Sequence, residues 1–538
     1  MSLRLPRWTA GALLAACACA PGGGGAGPAS VEPRVTPDLD AWLAEWPEVE
    51  LGWEAEGLPE EDRQALDHLL AAARQVDGIF LDQAGRSNRE RRERLEALPA
   101  VERRKALRLF DINFGPYDRG RAGRNLFLDT PPRPPGAGFY PEDLTPEEWT
   151  RFLSEHPDRE AELISETTLV VRDEHGLSGR PYSKVFRDRL EAIAGSLEKA
   201  RSLTTDPALR RYLGALAEAL RSDDYREADR LWLEVRGPVR FLLGPHPTGE
   251  DRLFGLKASF EALVGVTVPG GAAKVEAAAR RLEATCGAPP PDASRVELLD
   301  LAGAGGAARA GGVPVAVEFP LDPTPGRTRH LVFRNVALAK SRILLRPAAQ
   351  ALLGGGPEQD GETYVDFLLL HSLAHGRPPR AGPDRLREAA PLLDEARAGL
   401  AAALALADRA EGRATVLAAL LGALGRGERG AAAARLQLAL LEAEGALAID
   451  RTTGRVRTRA EEWAAGLRRA LARVDHLVAA GDYAAARRWL DRAAGFRAGR
   501  LAAIAAGLPF DIAVRFTGAA RRPPLSGVTS APRTPAAP

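Results

Sequence analysis

The sequence predicts a mainly α-helical protein with a smaller α+β part, built as more than one folding unit or as one two-lobed body. Three observations lead there. At 538 residues the chain is long for one hydrophobic core, which favours two folding units or one two-lobed body. Apolar residues recur at helical spacing along most of it, and Ala, Leu and Arg, all good helix formers, dominate the second half. Runs with strand character are short: Thr167–Arg172, Glu297–Leu301, Val313–Phe319, His330–Phe333 and Phe510–Phe516.

Composition narrows the function classes. The chain is 45% hydrophobic and 27% charged, as folded globular proteins are. Its net charge is +1 and its arginines are interspersed with acids, so no nucleic-acid partner is expected. Cys17 and Cys19 lie near the start and Cys286 stands alone, so the folded part has no disulfide framework. Cys286 reads as a small buried apolar residue.

The N-terminus reads as a targeting segment. In MSLRLPRWTAGALLAAC, Arg4 and Arg7 precede a short apolar core and small residues, too short for a stable membrane span. Leu14-Ala15-Ala16-Cys17 resembles the bacterial lipoprotein signal, in which cleavage precedes a lipidated cysteine. The expectation is a signal peptide over 1–17, lipidation at Cys17 and a flexible tether over 18–45, placing the protein in a bacterial cell envelope, held to the membrane by a lipid anchor. An ordinary cleaved signal peptide is the alternative.

The remaining chain divides into a mostly helical lobe with a β-hairpin (46–265), a mixed α/β segment (266–355), a helical metal-site lobe (356–517) and a disordered tail (518–538). Leu66, Leu69, Leu70, Ala73, Val76 and Phe80 mark a first long helix, and a strongly charged one follows over Asn88–Leu98. Asp111–Trp149 is rich in Gly, Pro and aromatics without a period, the texture of an ordered loop or a cleft wall. Thr145, Pro146 and Glu148 carry helix-start chemistry. Asp173-Glu174-His175-Gly176 supplies a hairpin turn after the first strand, with His175 a turn residue. Helical patterns resume over Ser183–Glu234 and lead into Leu242–Gly265. There Glu250, Asp251 and Lys257 are candidates to line a substrate cleft; otherwise they are helix-start acids and a solvated lysine. Gly303-Ala304-Gly305-Gly306-Ala307-Ala308 matches a dinucleotide-binding spacing, but Gly311, Gly312 and Pro314 break the helix such a site requires. Two strands joined by a Gly-rich loop fit better. A helix-like segment over Ala337–Leu353 and, past Glu395, a nearly all-helical run complete the body.

The chemistry concentrates in YVDFLLLHSLAHG, Tyr364–Gly376. His371 and His375 are four residues apart, so on a helix they share a face. Glu395 lies in a second helical pattern and can supply a carboxylate. Two imidazoles and a carboxylate form a catalytic-type Zn²⁺ ligand set. The usual motif is H-E-x-x-H, with the Glu as general base, and here Ser372 holds that position. Two structural histidines in a helix are the alternative.

Taken in order, several stretches resemble the bacterial, zinc-dependent branch of the dipeptidyl peptidase III family: INFGPYDR, PPGAGFYPEDLTPEEW, VVRDEHGLSGRPYSKVF, LLGPHPTGEDRLFGLKASFEALVG, FRNVALAKSRILLRP, HSLAHG, LDEARAG and LQLALLEAEGALAIDRTTGRVR. The resemblance covers roughly Gln64 to Phe516 and implies a two-lobed zinc-peptidase-like fold with a central cleft. It implies one Zn²⁺ ion on His371, His375 and Glu395, and a peptide or peptide-like ligand in the cleft. It also marks departures. Ser372 replaces the general-base Glu, Gly399 replaces the acid closing the second motif, and Arg429 stands where a carbonyl-polarising His is expected. The implied function is a membrane-anchored metallopeptidase homologue that binds zinc but is catalytically impaired. The alternatives are an active peptidase with its base relocated to Glu388, Asp394 or Asp366, and a non-catalytic envelope protein that binds peptides or partners.

Overall fold

In this computed structural model the described residues are 33–519, apart from 55–56, 121–123, 288–291, 321–327, 355–360, 376, 378–382, 426–427, 451 and 497–498. The expected signal peptide, Cys17 and all but the first two residues of the expected tail lie outside them.

Strand β1 (Glu48–Trp53) precedes the long helix α1 (Glu60–Ala84). α1 opens on Glu60, Glu61 and Asp62, which favour the positive end of its dipole, and buries Leu66, Leu69, Ala73, Val76 and Phe80 along one stripe. Helix α2 (Ala100–Asn113) follows, then an irregular but ordered stretch that buries Phe127, Phe139 and Tyr140. β2 (Thr168–Asp173) and β3 (Gly176–Pro181) form the expected hairpin, with His175 exposed in its turn. Helices α3 (Arg187–Leu203) and α4 (Pro207–Ser222) close this lobe, α3 packing on α1.

A five-stranded sheet joins the halves. It comprises β4 (Val239–His246), β5 (Ser259–Thr267), β6 (Val296–Gly306), β7 (Ala316–Phe319) and β8 (Arg329–Phe333), in the order β4-β5-β6-β8-β7. Only β6 and β8 run parallel. Successive side chains of a strand point to opposite faces, and here each face feeds a different core. Leu299, Leu301, Leu331 and Phe333 join the core around α1, α3 and α4. Val296, Leu298 and Val332 join a second core, made of α5 (Gly271–Cys286), α6 (Glu362–Ala374), α7 (Ala390–Ala405), α8 (Ala410–Leu424), α9 (Glu428–Ala443) and α10 (Ala460–Ala480). β9 (Ala513–Ala519) then returns to pair parallel with β1. Asp511, just before it, is bound to the buried Lys340 at 2.8 Å. The mainly helical fold with a smaller sheet part is therefore the one the sequence predicts.

Several expectations are corrected. The tether does not reach residue 45, because Val35, Leu39 and Trp42 are buried and a short helix spans Leu39–Ala44. Leu242–Gly265 contains no helix. Its apolar runs are β4 and β5, buried on both faces, which erases the alternation that marks a half-exposed strand. Gly303–Gly306 is not a loop but the end of β6. A Cβ at Gly305 would lie 1.8 Å from the Ala73 carbonyl oxygen, so only glycine lets α1 approach this closely. No helix opens after these glycines beyond a single turn over Ala307–Arg309. The closing strand lies at Ala513–Ala519, three residues later than expected. Cys286 is only partly buried.

Candidate metal centre

α6 is apolar on nearly all sides, so it is packed into the helical lobe against α5 and α7, with β8 beside it. Leu368, Leu369, Leu370 and Leu373 are buried. His371 lies in its last turn and the helix ends at His375. α7 has a proline in its first turn and carries Asp394 and Glu395 in its second. Packing α6 on α7 brings the two histidines to these acids.

The three expected ligands converge. His371 Nε2 is 3.3 Å from Glu395 Oε1, and His375 Nε2 is 3.7 Å from Glu395 Oε2. The two Nε2 atoms are 3.1 Å apart, and the three donor atoms all lie within 4.8 Å of one another. All three residues are half-buried. Asp394 Oδ2 is 2.7 Å from His375 Nδ1. This contact holds a proton on Nδ1 and turns Nε2 towards Glu395, the usual outer support of a metal-binding imidazole. Burial would depress the His375 imidazolium, but the Asp394 bond and the charges of Asp394, Glu395 and Glu318 outweigh it and raise its pKa. Burial would likewise raise Asp394, but His375 and Arg397 hold it below the ordinary carboxylate value.

The sequence did not reveal His330, whose ring stacks parallel on His375 with centroids 5.8 Å apart. Burial pushes His330 down to about 4, with His375 and His371 adding to the shift and Glu318 opposing it. His330 comes from β8 and Glu318 from β7, and no local pattern links either to α6. Two imidazoles and a carboxylate, backed by a second carboxylate, fit a zinc ion by donor type and number.

Solved structures carry the same architecture. The chain is similar to dipeptidyl peptidase III from Caldithrix abyssi, with 28% identity, a TM-score of 0.79, and coverage of 89% of this chain and 99% of that one. Dipeptidyl-peptidase III from Corallococcus sp. strain EGB, at 24% identity, a TM-score of 0.74 and coverage of 89% and 97%, shares the fold. Over most of its length this chain is therefore similar to bacterial dipeptidyl peptidase III. No family model matches the sequence. Among curated proteins, Nudix hydrolase 3 of Arabidopsis thaliana is 26% identical over 383 residues, or 59% of this chain. The chain spans about half the length of that relative (49%), whose name denotes a different hydrolase class.

The other predicted positions fall into two groups. Ser372 is buried on α6 between the two histidines. Arg429 is in the first turn of α9, and its side chain lies outside the described residues. The three carboxylates named as relocated bases each have a partner. Asp366 pairs with Arg409 at 3.0 Å and Lys274 at 3.4 Å, Glu388 bonds the Tyr483 hydroxyl, and Asp394 holds His375. At Gly399 a Cβ would lie 2.3 Å from Gln437 Oε1, so the Gln437 amide fills the space that an acidic side chain would take.

Glu250, Asp251 and Lys257 are neither helix-start acids nor a solvated lysine. All three are buried. Glu250 receives Arg119 in a two-pronged pair at 2.7 and 2.9 Å, and is also bonded to Arg133. Asp251 accepts from the Tyr140 hydroxyl at 2.8 Å and from the backbone N–H groups of Leu253, Phe254, Leu256 and Lys257. The Lys257 ammonium donates to the carbonyls of Leu163 and Ser165 and to Thr168 Oγ1, at 2.6 to 2.8 Å. Lys257 thus fastens the β4–β5 connection to the start of the hairpin, while Glu250 and Asp251 fasten it to the irregular stretch through Arg119, Arg133 and Tyr140.

Proposed function

We propose that this protein is a zinc-binding dipeptidyl-peptidase-III homologue with impaired hydrolysis, which holds peptide or peptide-like ligands in its cleft. One observation carries the reading. His371, His375 and Glu395 converge with Asp394 behind them, while position 372, beside them on the same helix, offers only a serine hydroxyl. Bound there, zinc supplies a Lewis acid that lowers the pKa of a water and polarises a carbonyl. The chain's own part is to present both Nε2 atoms and the Glu395 carboxylate, with Asp394 keeping the His375 proton on Nδ1. A peptidase also needs a base to take the water's proton and return it to the leaving amine. The Ser372 hydroxyl is far too weak near neutral pH, and losing a positioned base costs about 10²–10⁴-fold in rate. Asp366 and Glu388 are tied into ion pairs or hydrogen bonds away from the histidines, which argues against a relocated base.

The test joins metal analysis to turnover. We expect one zinc per purified chain, lost in His371→Ala, and di- to octapeptides cleaved far more slowly than by an intact peptidase of this fold. Ser372→Glu should raise turnover about 10²-fold, with Ser372→Gln as the control that fills the space without a base. Zinc-free protein would sink the metal half of the reading. Brisk cleavage by the native chain, abolished by His371→Ala, would sink the impairment.

We also propose lipid anchoring through Cys17, supported by Leu14-Ala15-Ala16-Cys17 behind a short apolar core. No helix among the described residues is long and apolar enough to cross a membrane. Expressed in a bacterial host, the native chain should fractionate with membranes and Cys17→Ala should not. Equal fractionation of both would refute the anchor.

A further inference from the structure

A second concave site lies away from the metal centre. It is a cavity of about 870 Å³ between α1, α2, β6 and β9, within the size range of small-molecule sites. Its floor is the Gly/Ala run of β6 that resembles a nucleotide-binding motif and is not one. Ala302, Gly303 and Ala304 carry almost no side-chain bulk, which keeps the floor low. The walls are Leu70, Leu107, Ile112, Val514 and Phe516, each packed against a core yet still partly exposed.

Charge at the mouth is unbalanced. Its three acids are already paired: Glu48 with Arg108 at 3.0 Å, Asp77 with Arg309 at 2.7 Å and Asp111 with Arg92 at 3.1 Å. Arg74 and Arg104 also border the cavity, on α1 and α2. Both are exposed, and neither has a carboxylate or hydrogen-bond partner among the described residues. An apolar trough with unpaired guanidinium groups at its lip suits a molecule with an apolar body and one anionic head.

We propose that this cavity binds an acyl carboxylate. Its chain lies along Leu70, Leu107, Ile112, Val514 and Phe516, and its head is held at Arg74 and Arg104. Burial of the chain supplies most of the affinity. The exposed arginines set the sign of the head group and contribute less. None of the cavity's lining residues belongs to the metal centre, so the site stands whether or not zinc binds.

Calorimetric titration of the full chain tests this, with dodecanoate kept below its micelle-forming concentration. Dodecyltrimethylammonium pairs a tail of nearly equal length with the opposite charge, and butanoate carries the head on a short stub. Dodecanoate should saturate at one per chain and bind at least tenfold tighter than either control. Arg74→Glu with Arg104→Glu should weaken it at least tenfold without moving the melting temperature, since both side chains are exposed. Leu107→Asp, which charges a wall, should weaken it to a similar degree. The proposal is overturned if dodecanoate does not bind, if the cationic amphiphile binds as tightly, or if the double charge reversal leaves dodecanoate binding unchanged.

Discussion

Two clusters of ionisable residues, both conspicuous in the sequence, have opposite designs. In the Glu250–Asp251–Lys257 cluster the charged atoms look inward. Asp251 accepts five hydrogen bonds, Lys257 spends its three N–H bonds on three acceptors, and Glu250 is clasped by two arginines. In the His371–His375–Glu395 cluster the side chains are half-buried, and one ligand-type atom of each lies within 4.8 Å of the others. Buried charge is tolerated where every group has a partner. Burial and pairing thus separate a structural cluster from a ligand site, where residue type alone does not.

Substitutions can break that contrast. The largest effect is expected from Asp251→Ala, which strands the Tyr140 hydroxyl, four backbone N–H groups and a nearby buried ammonium. Unfolding free energy should fall by about 3–5 kcal/mol in denaturant titration, with zinc stoichiometry of the folded fraction unchanged. Glu395→Ala should do the reverse. Zinc affinity should drop more than about 100-fold in a chelator competition, while the metal-free melting temperature barely moves, because removing a ligand exceeds the 10–100-fold cost of disturbing its support. Asp394→Asn keeps the shape but loses the charge behind His375, and should weaken zinc about 10–100-fold. If Asp394→Asn instead matches Asp251→Ala in lost stability, the two clusters are not different in kind.

The smallest expected effect is on pH. The folded pKa of His375 is raised above its unfolded value, chiefly by Asp394 acting against burial. In the metal-free protein this histidine therefore adds stability that is fully present below the unfolded pKa, about 6.5, and is lost as pH rises through the folded pKa. Zinc competes with the same proton, so its affinity should weaken as pH falls. Metal-free melts across this window, compared with Asp394→Asn, should show the slope in the native chain and a flatter profile in the variant.

The β6 run shows how a local pattern can mislead. Gly303–Gly306 has the spacing of a phosphate-binding turn, yet it exists so that α1 can lie against the strand, with the Ala73 carbonyl where a Cβ at Gly305 would stand. β4 and β5 were hidden for the opposite reason. Their apolar residues are continuous, since both faces are covered, and a continuous run carries no period to read.

By itself the sequence determined the helical character, the hairpin, the helix start at Thr145, whose Oγ1 accepts from the Glu148 N–H at 3.1 Å, and the three candidate metal ligands. The first three rest on neighbours within a few turns of the chain, where periodicity and capping chemistry act directly, while Glu395 was joined to the two histidines by the family resemblance. The tertiary structure decided the rest. It put Asp394 behind His375, laid His330 from β8 against the same ring, filled the space at Gly399 with Gln437 from α9, and turned Glu250, Asp251 and Lys257 inward. Those contacts join elements far apart in the chain. Their partners are chosen by how two cores pack on the opposite faces of one sheet, and no local pattern records that choice.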